Sequence, residues 1–260
     1  MITLSDLGCR IGSATLLQDI SLTLQGGCAA VIGPNGAGKS TLLRLCADGG
    51  RHLPRASLTG DIRLDGRPLR ELPADTLAQR RAFLPQHHAE SLRLPVASIL
   101  ELAMWPHGQP ALHAQALREA VRLWELDALA ARPYDELSGG ERQRVQLART
   151  WLQMKLHAEP GARMWLLDEP QTGLDLPHQQ RLRECLRREA DAGALVMFST
   201  HDLNFALRAA DTVIALRDGH LLFAGAADEL VDADLLKQVF DVEFDTLQHP
   251  GDSRAWLVPR

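Results

Sequence analysis

No run of apolar residues in this chain approaches the roughly 18–20 needed to cross a bilayer, so the sequence predicts no membrane span of its own. Cysteine is sparse: Cys9, Cys28, Cys46 and Cys185 are scattered, with no C-x-x-C pair. That spacing argues against a disulfide framework or a zinc site and for a reducing compartment. Positive charge is not in excess. The net charge is -5, which gives no electrostatic reason to expect a nucleic-acid partner. The opening MITLSDLGCR lacks the charged-then-apolar pattern of a signal peptide. A cytoplasmic protein is expected, with any membrane role supplied through a partner. Internal repeats and low-complexity segments are also missing. The 45% apolar and 23% charged residues over 260 positions suit one large globular domain or two small ones with an ample core.

Residues 2–24 alternate apolar and polar in ITLSDL and DISLTL, a pattern of half-buried antiparallel strands. Ala29–Ile32 is a short apolar run feeding a glycine-rich loop, and Ser40–Cys46 has helical composition. Asp61–Leu64 reads as a strand entering an Asp65-Gly66 turn. From about 90 to 154 the pattern is helical, with apolar residues at three- and four-residue spacing in Ala111–Leu126 and Glu141–Gln153. Strand signals return at Met164–Leu167 and Ala194–Ser199, and Thr212–Leu216 and His220–Ala224 flank a hairpin turn. The helical stretch therefore reads as an insertion into an α/β core.

Residues 33–41 read GPNGAGKST, a match to G-x-x-x-x-G-K-[ST] placed between an apolar strand and a helix. Gly33, Gly36 and Gly38 let backbone N–H groups turn inward on phosphate oxygens, and Pro34, Asn35, Ala37 and Thr41 complete the cradle. Lys39 is expected to reach the β- and γ-phosphates and Ser40 to hold Mg²⁺. A strand ending Leu167-Asp168-Glu169 puts two acids where open α/β sheets bind ligands. Asp168 is the expected Mg²⁺ partner and Glu169 the base that orients and deprotonates water. Residues 137–143 read LSGGERQ. Ser138 can cap a helix starting near Gly140–Glu141, and the two glycines, Gly139 and Gly140, let the backbone approach an anion. A second anion site so far along the sequence makes sense if it closes on the nucleotide of another copy.

The order of these motifs, with Gln86 in AFLPQHH, Thr172-Gly173-Leu174-Asp175 and a late His201, resembles the ATP-binding subunits of ABC transporters along essentially the whole length. The resemblance implies an α/β fold: a P-loop NTPase (RecA-like) core with an N-terminal antiparallel β-subdomain and an inserted α-helical subdomain. It divides the chain into core segments 1–86 and 155–260 and a helical segment 87–154. It implies an ATPase using ATP and Mg²⁺, with Glu169, His201 and Gln86 as catalytic residues. Ser40, Gln86 and Asp168 would serve the metal, and Asp175 would be the D-loop aspartate. Ser138, Gly139, Gly140 and Glu141 would act in trans across a homodimer. The implied partners are a transmembrane permease, itself expected as a dimer, and, indirectly, a periplasmic substrate-binding protein, with the chain peripheral on the cytoplasmic face of the inner membrane.

The chain departs from the family in two places. Where many relatives stack an aromatic ring on adenine, the corresponding position is Cys9, with Arg10 as a substitute through its planar guanidinium. The usual Ser-Ala before Leu-Asp is Thr172-Gly173, which would loosen the D-loop. The long connection TWLQMKLHAEPGAR is similar to those of importer subunits for iron chelates, haem and cobalamin, and the strings LDLPHQQ and VEFDTLQHPGDSRAWLVPR look most like haemin-importer ATPases. Haem is the expected cargo, with ferric siderophore and cobalamin as alternatives. A soluble ABC-type ATPase without a transport role and a small-molecule kinase are the readings from other classes. His87-His88 is expected to contact the permease rather than to ligate haem. Arg181–Glu189 is expected to be a solvated helix face with Leu182 and Leu186 turned inward, and Trp105, Trp124, Trp151 and Trp165 to be packing residues.

Overall fold

Alternation at the N-terminus produces two long strands, β1 (Ile2–Ile11) and β2 (Ala14–Leu24), paired antiparallel. With β4 (Ala56–Leu64) and β5 (Arg67–Pro68) they form a four-stranded sheet in the order β2-β1-β4-β5. The computed structural model describes residues 1–53, 55–86, 93–104, 110–156, 163–248 and 254–260. The second sheet has six strands in the order β10-β9-β3-β8-β7-β6. These are β3 (Gly27–Ile32), β6 (Arg81–Leu84), β7 (Met164–Leu167), β8 (Leu195–Ser199), β9 (Thr212–Arg217) and β10 (His220–Ala226). Five of them run parallel, and β10 returns as a hairpin on β9.

Both faces of the parallel sheet are covered, which is why β7 and β8 read as continuous apolar runs. The pleat divides their side chains between two cores. Ala30, Ile32, Trp165 and Leu167 face the larger one, filled by helices. Ala29, Val31, Met164 and Leu166 face the other, shared with β1, β2 and the first helix, α1 (Lys39–Asp48). In β1 the pairing register shifts around Leu7 and Cys9, and Asp6 sits at φ 48°. Leu7, Gly8 and Cys9 are consequently buried in succession. Cys9 is therefore a core residue and offers no face to a base, whereas Arg10 next to it is exposed. All four cysteines are free and buried, and burial pushes the Cys46 and Cys185 thiols up to about 12.

After α2 (Ala74–Arg80) and β6 comes the helical stretch: α3 (Val96–Met104), α4 (Pro110–Leu123) and α5 (Gly139–Lys155). α5 packs on α3 and α4 and also on β6 and β7, so it joins the inserted helices to the sheet. Trp124, Trp151 and Trp165 are fully buried, as packing residues should be, while Trp105 lies outside the described residues. α6 (Leu176–Asp191) buries Leu182 and Leu186 as its spacing predicts. The Trp151 indole N–H donates to the buried Glu189 carboxylate at 3.0 Å, tying α5 to α6. α7 (Leu203–Ala209), α8 (Ala233–Phe240) and the hairpin β11 (Phe244–Leu247)–β12 (Trp256–Pro259) close the chain. Among the described residues no helix is long and apolar enough to cross a membrane.

Candidate nucleotide site

The glycine-rich loop leaves the carboxyl end of β3, the strand flanked by β8 and β9. Gly33 turns it away at φ 145°, where a Cβ would lie 2.1 Å from the Leu216 carbonyl oxygen, so no other residue fits. The Ala37 N–H donates to the Pro34 carbonyl at 3.2 Å, and the Ala37 carbonyl accepts from the Gly219 N–H at 3.2 Å. At Gly36 the Cβ position opens onto free space. α1 then starts with Gly38 as its cap. No side chain caps it and its first turn carries no acid. Its N–H groups and positive dipole end are thus left for an anion. Lys39 is buried and donates from Nζ to the carbonyls of Gly33 at 2.7 Å and Pro34 at 2.9 Å. Burial pulls its pKa down, and the carboxylates of Glu169 and Asp168 oppose that shift.

Two strands away, β7 delivers its acids. The Asp168 N–H donates to the Leu84 carbonyl at 2.8 Å. Asp168 Oδ1 accepts from Ser40 Oγ at 3.0 Å and from Ser199 Oγ at 2.6 Å. Its Oδ2 is buried without a hydrogen-bond partner. An orphaned carboxylate oxygen beside a hydroxyl is a fit for a hard cation, which takes oxygen ligands. Among the described residues no group of three or more His, Cys, Asp or Glu could hold a metal alone. A cation here would draw the rest of its shell from phosphate and water, as Mg²⁺ does.

Glu169 adopts φ 48°, a left-handed conformation costly for a side chain of this size, and its N–H donates to Ser199 Oγ at 2.9 Å. Its Oε2 accepts from Thr172 Oγ1 at 3.4 Å and lies 3.9 Å from Nδ1 of the exposed His201. Ser199, at the end of β8, thus fixes both acids. Sequence reasoning missed it, since a serine closing an apolar strand carries no signal of its own. Gln171, buried and hydrogen-bonded to Thr200 Oγ1, was missed for the same reason. Gln86 is exposed just beyond β6, the strand beside β7; His87 and His88 lie outside the described residues.

The remaining predicted residues form a second group. Ser138 and Glu141 make a reciprocal capping box at the start of α5. The Glu141 N–H donates to Ser138 Oγ at 3.3 Å, and the Ser138 N–H to Glu141 Oε2 at 2.8 Å. That N–H, with Arg132 nearby, holds the Glu141 carboxyl below the usual carboxylate range. Gly140 packs so closely on the Gly173 carbonyl that a Cβ would come within 2.8 Å of it, and Gln143 Nε2 donates to the Pro170 carbonyl at 2.9 Å. Gly173 occupies φ 78° in the second of two overlapping turns, 169–172 and 171–174. Asp175 caps α6, accepting from the His178 N–H at 3.0 Å. The loop from Glu169 to Asp175 therefore joins the two groups.

One group can cradle a polyphosphate, share a divalent cation and set a carboxylate on a water molecule. The other presents a glycine-opened helix N-terminus. This combination has close parallels. The ABC transporter family profile matches residues 17–172. The Hemin import ATP-binding protein HmuV of Bordetella pertussis is 40% identical over 244 residues, covering 92% of this chain and 91% of that protein. Its namesake in Aliivibrio fischeri is 37% identical over 254 residues, covering 96% and 93%. Among solved structures, an ATP-binding subunit of an ABC transporter superposes with a TM-score of 0.77 at 25% identity, covering 88% of this chain and 91% of its own. Motif order, sheet topology and these likenesses agree, and the chain belongs to the ABC transporter family as an ATP-binding subunit.

Proposed function

We propose that this chain hydrolyses ATP to power haem import through a partner membrane permease. The observation that carries the motor role is the convergence of Lys39, Ser40, Asp168 and Glu169 at the carboxyl ends of β3 and β7, parallel strands on either side of β8. The cargo rests on relatives that match this chain nearly end to end and are named for hemin import.

In this reading Gly33 to Thr41 wrap the β- and γ-phosphates, and Lys39 exchanges its carbonyl partners for phosphate oxygens. Ser40 and Asp168, with Gln86, hold Mg²⁺, which neutralises charge on the phosphates when bound. Glu169 orients a water molecule and takes its proton on Oε2 as the new oxygen–phosphorus bond forms and the bridge to ADP breaks. His201 contacts the γ-phosphate from beside Glu169. Ser138, Gly139, Gly140 and Glu141 complete the site of a second copy; within one chain Gly139 and Gly140 lie against Gly173 instead. A homodimer seated on the permease at the cytoplasmic face of the inner membrane converts closure and opening into transport, with a periplasmic binding protein delivering cargo. Residues 1–86 and 155–260 act as the core, and 87–154 as the segment that receives the permease.

The test is ATP-driven haem uptake by proteoliposomes holding this chain and its permease, with cargo offered on the cognate binding protein. Accumulation abolished by Glu169→Gln supports both halves of the reading. Active hydrolysis without haem movement would move the cargo to ferric siderophores or cobalamin. Hydrolysis undiminished by Glu169→Gln would overturn the assigned base.

A further inference from the structure

His178 bridges two segments that sequence places far apart. Its Nδ1 is hydrogen-bonded to Asp175 Oδ1 at 2.6 Å, and its buried Nε2, which makes no hydrogen bond, lies 3.4 Å from Glu125 Oε2. Glu125 occupies the corner after α4 at φ 52° and also pairs with Arg181 of α6 at 2.7 Å. The corner is itself held by α5: Arg144 donates to the carbonyls of Trp124 at 2.8 Å and Glu125 at 2.9 Å. The chain of contacts therefore runs from the LSGGERQ helix, through the 124–125 corner and the His178 ring, to the aspartate that ends the 169–175 loop. That same loop begins at Glu169. The ring is only 13% exposed, whereas Asp175 and Glu125 are 64% and 54% exposed. Polar contacts whose partners are so open to water add little stability.

We propose that His178 is a positioning residue that locks the Asp175 loop to the inserted helices, so that this loop and Ser138–Glu141 meet a second copy as one rigid piece. The inference rests on the ATPase reading above. Removing the ring leaves helix α6 capped, because Asp175 Oδ1 also accepts from the backbone N–H of residue 178, which His178→Ala retains. What is lost is the link to Glu125. Closure of two copies then requires the loop to be ordered at that moment, and a catalytic group held less accurately loses rate.

The experiment compares His178→Ala, Glu125→Gln and the double variant in the full-length chain. It measures steady-state ATP hydrolysis, thermal melting and, in a Glu169→Gln background, ATP-dependent dimer formation by size exclusion. His178→Ala should lower kcat about tenfold, leave the KM for ATP within about twofold and leave the melting temperature unchanged. The ATP concentration needed for dimerisation should rise in parallel. Glu125→Gln should lower kcat in the same direction, and the double variant should be no slower than His178→Ala alone, because both break one link. Unchanged kcat in His178→Ala, additive losses, or a fall in kcat matched by a fall in melting temperature would each overturn the proposal. An unsubstituted chain that does not hydrolyse ATP would instead overturn the ATPase reading, whatever His178 does.

Discussion

The phosphate loop and the LSGGERQ loop both present a helix N-terminus, yet they are built from different material. The first hangs from buried strands: Ile32, Leu167 and Phe198 are all fully buried, and Gly33, Asp168 and Ser199 follow directly on this framework. Its geometry is set by parallel register, so it is held before any ligand arrives. The second is set by side chains at helix ends, Ser138 on Glu141 and Asp175 on His178, with most partners open to water. A site fixed by a sheet tolerates no intrusion. One fixed by caps and ion pairs can adjust, which suits a surface that must meet another molecule.

The largest effect that should separate the two is on chemistry. Glu169→Gln is expected to lower hydrolysis by about 10²–10⁴-fold while leaving nucleotide binding intact, checked by phosphate release and fluorescent-nucleotide titration. Next come the glycines. Gly33→Ala drives a Cβ into the Leu216 carbonyl and should cost at least about 3 kcal/mol in urea unfolding. Gly140→Ala meets the Gly173 carbonyl in an exposed loop that can give, and should cost about 1 kcal/mol. Equal costs would erase the distinction drawn here. Lys39→Ala should weaken nucleotide binding by about 1.5–3 kcal/mol, the range for hydrogen bonds to a charged group, read in the same titration. Ser138→Ala should cost about 1 kcal/mol of stability through the lost cap, seen as a lower melting temperature.

The smallest effect is on pH. The Glu141 carboxyl is held below its ordinary value, foremost by the Ser138 N–H. Its folded-state pKa is thus depressed, so its contribution is complete above the unfolded pKa of about 4.3. It is lost as pH falls through the lower folded value. Glu141→Gln should flatten the acid limb of the stability profile in that window; an unchanged limb would show that the box adds nothing to the cap.

The same contrast explains what could be read in advance. GPNGAGKST, LSGGERQ and the acids after Leu167 are local strings whose chemistry is carried by neighbours in sequence. β7 fell where Met164–Leu167 predicted it because four buried positions in a row leave little ambiguity. Sheet order is not written locally. Nothing in Arg81–Leu84, too short for a periodicity, says that it pairs with β7. The burial of Cys9 was not legible in advance, because the irregular register of β1 buries three consecutive residues and breaks the alternation by which inward positions are counted. His178 gave no warning either, since a histidine in the first turn of a polar helix becomes informative only when Glu125 is seen beside it.

The position of β3 has a consequence in time. Both of its neighbours, β8 and β9, begin after residue 190, so the phosphate loop leaves the ribosome with neither flanking strand yet made. At about 5–20 residues per second the interval is on the order of ten seconds. For that period the most recognisable motif of the chain is an unsupported glycine-rich segment after an apolar one, and the meander of β1 and β2 is the structure available to shelter it.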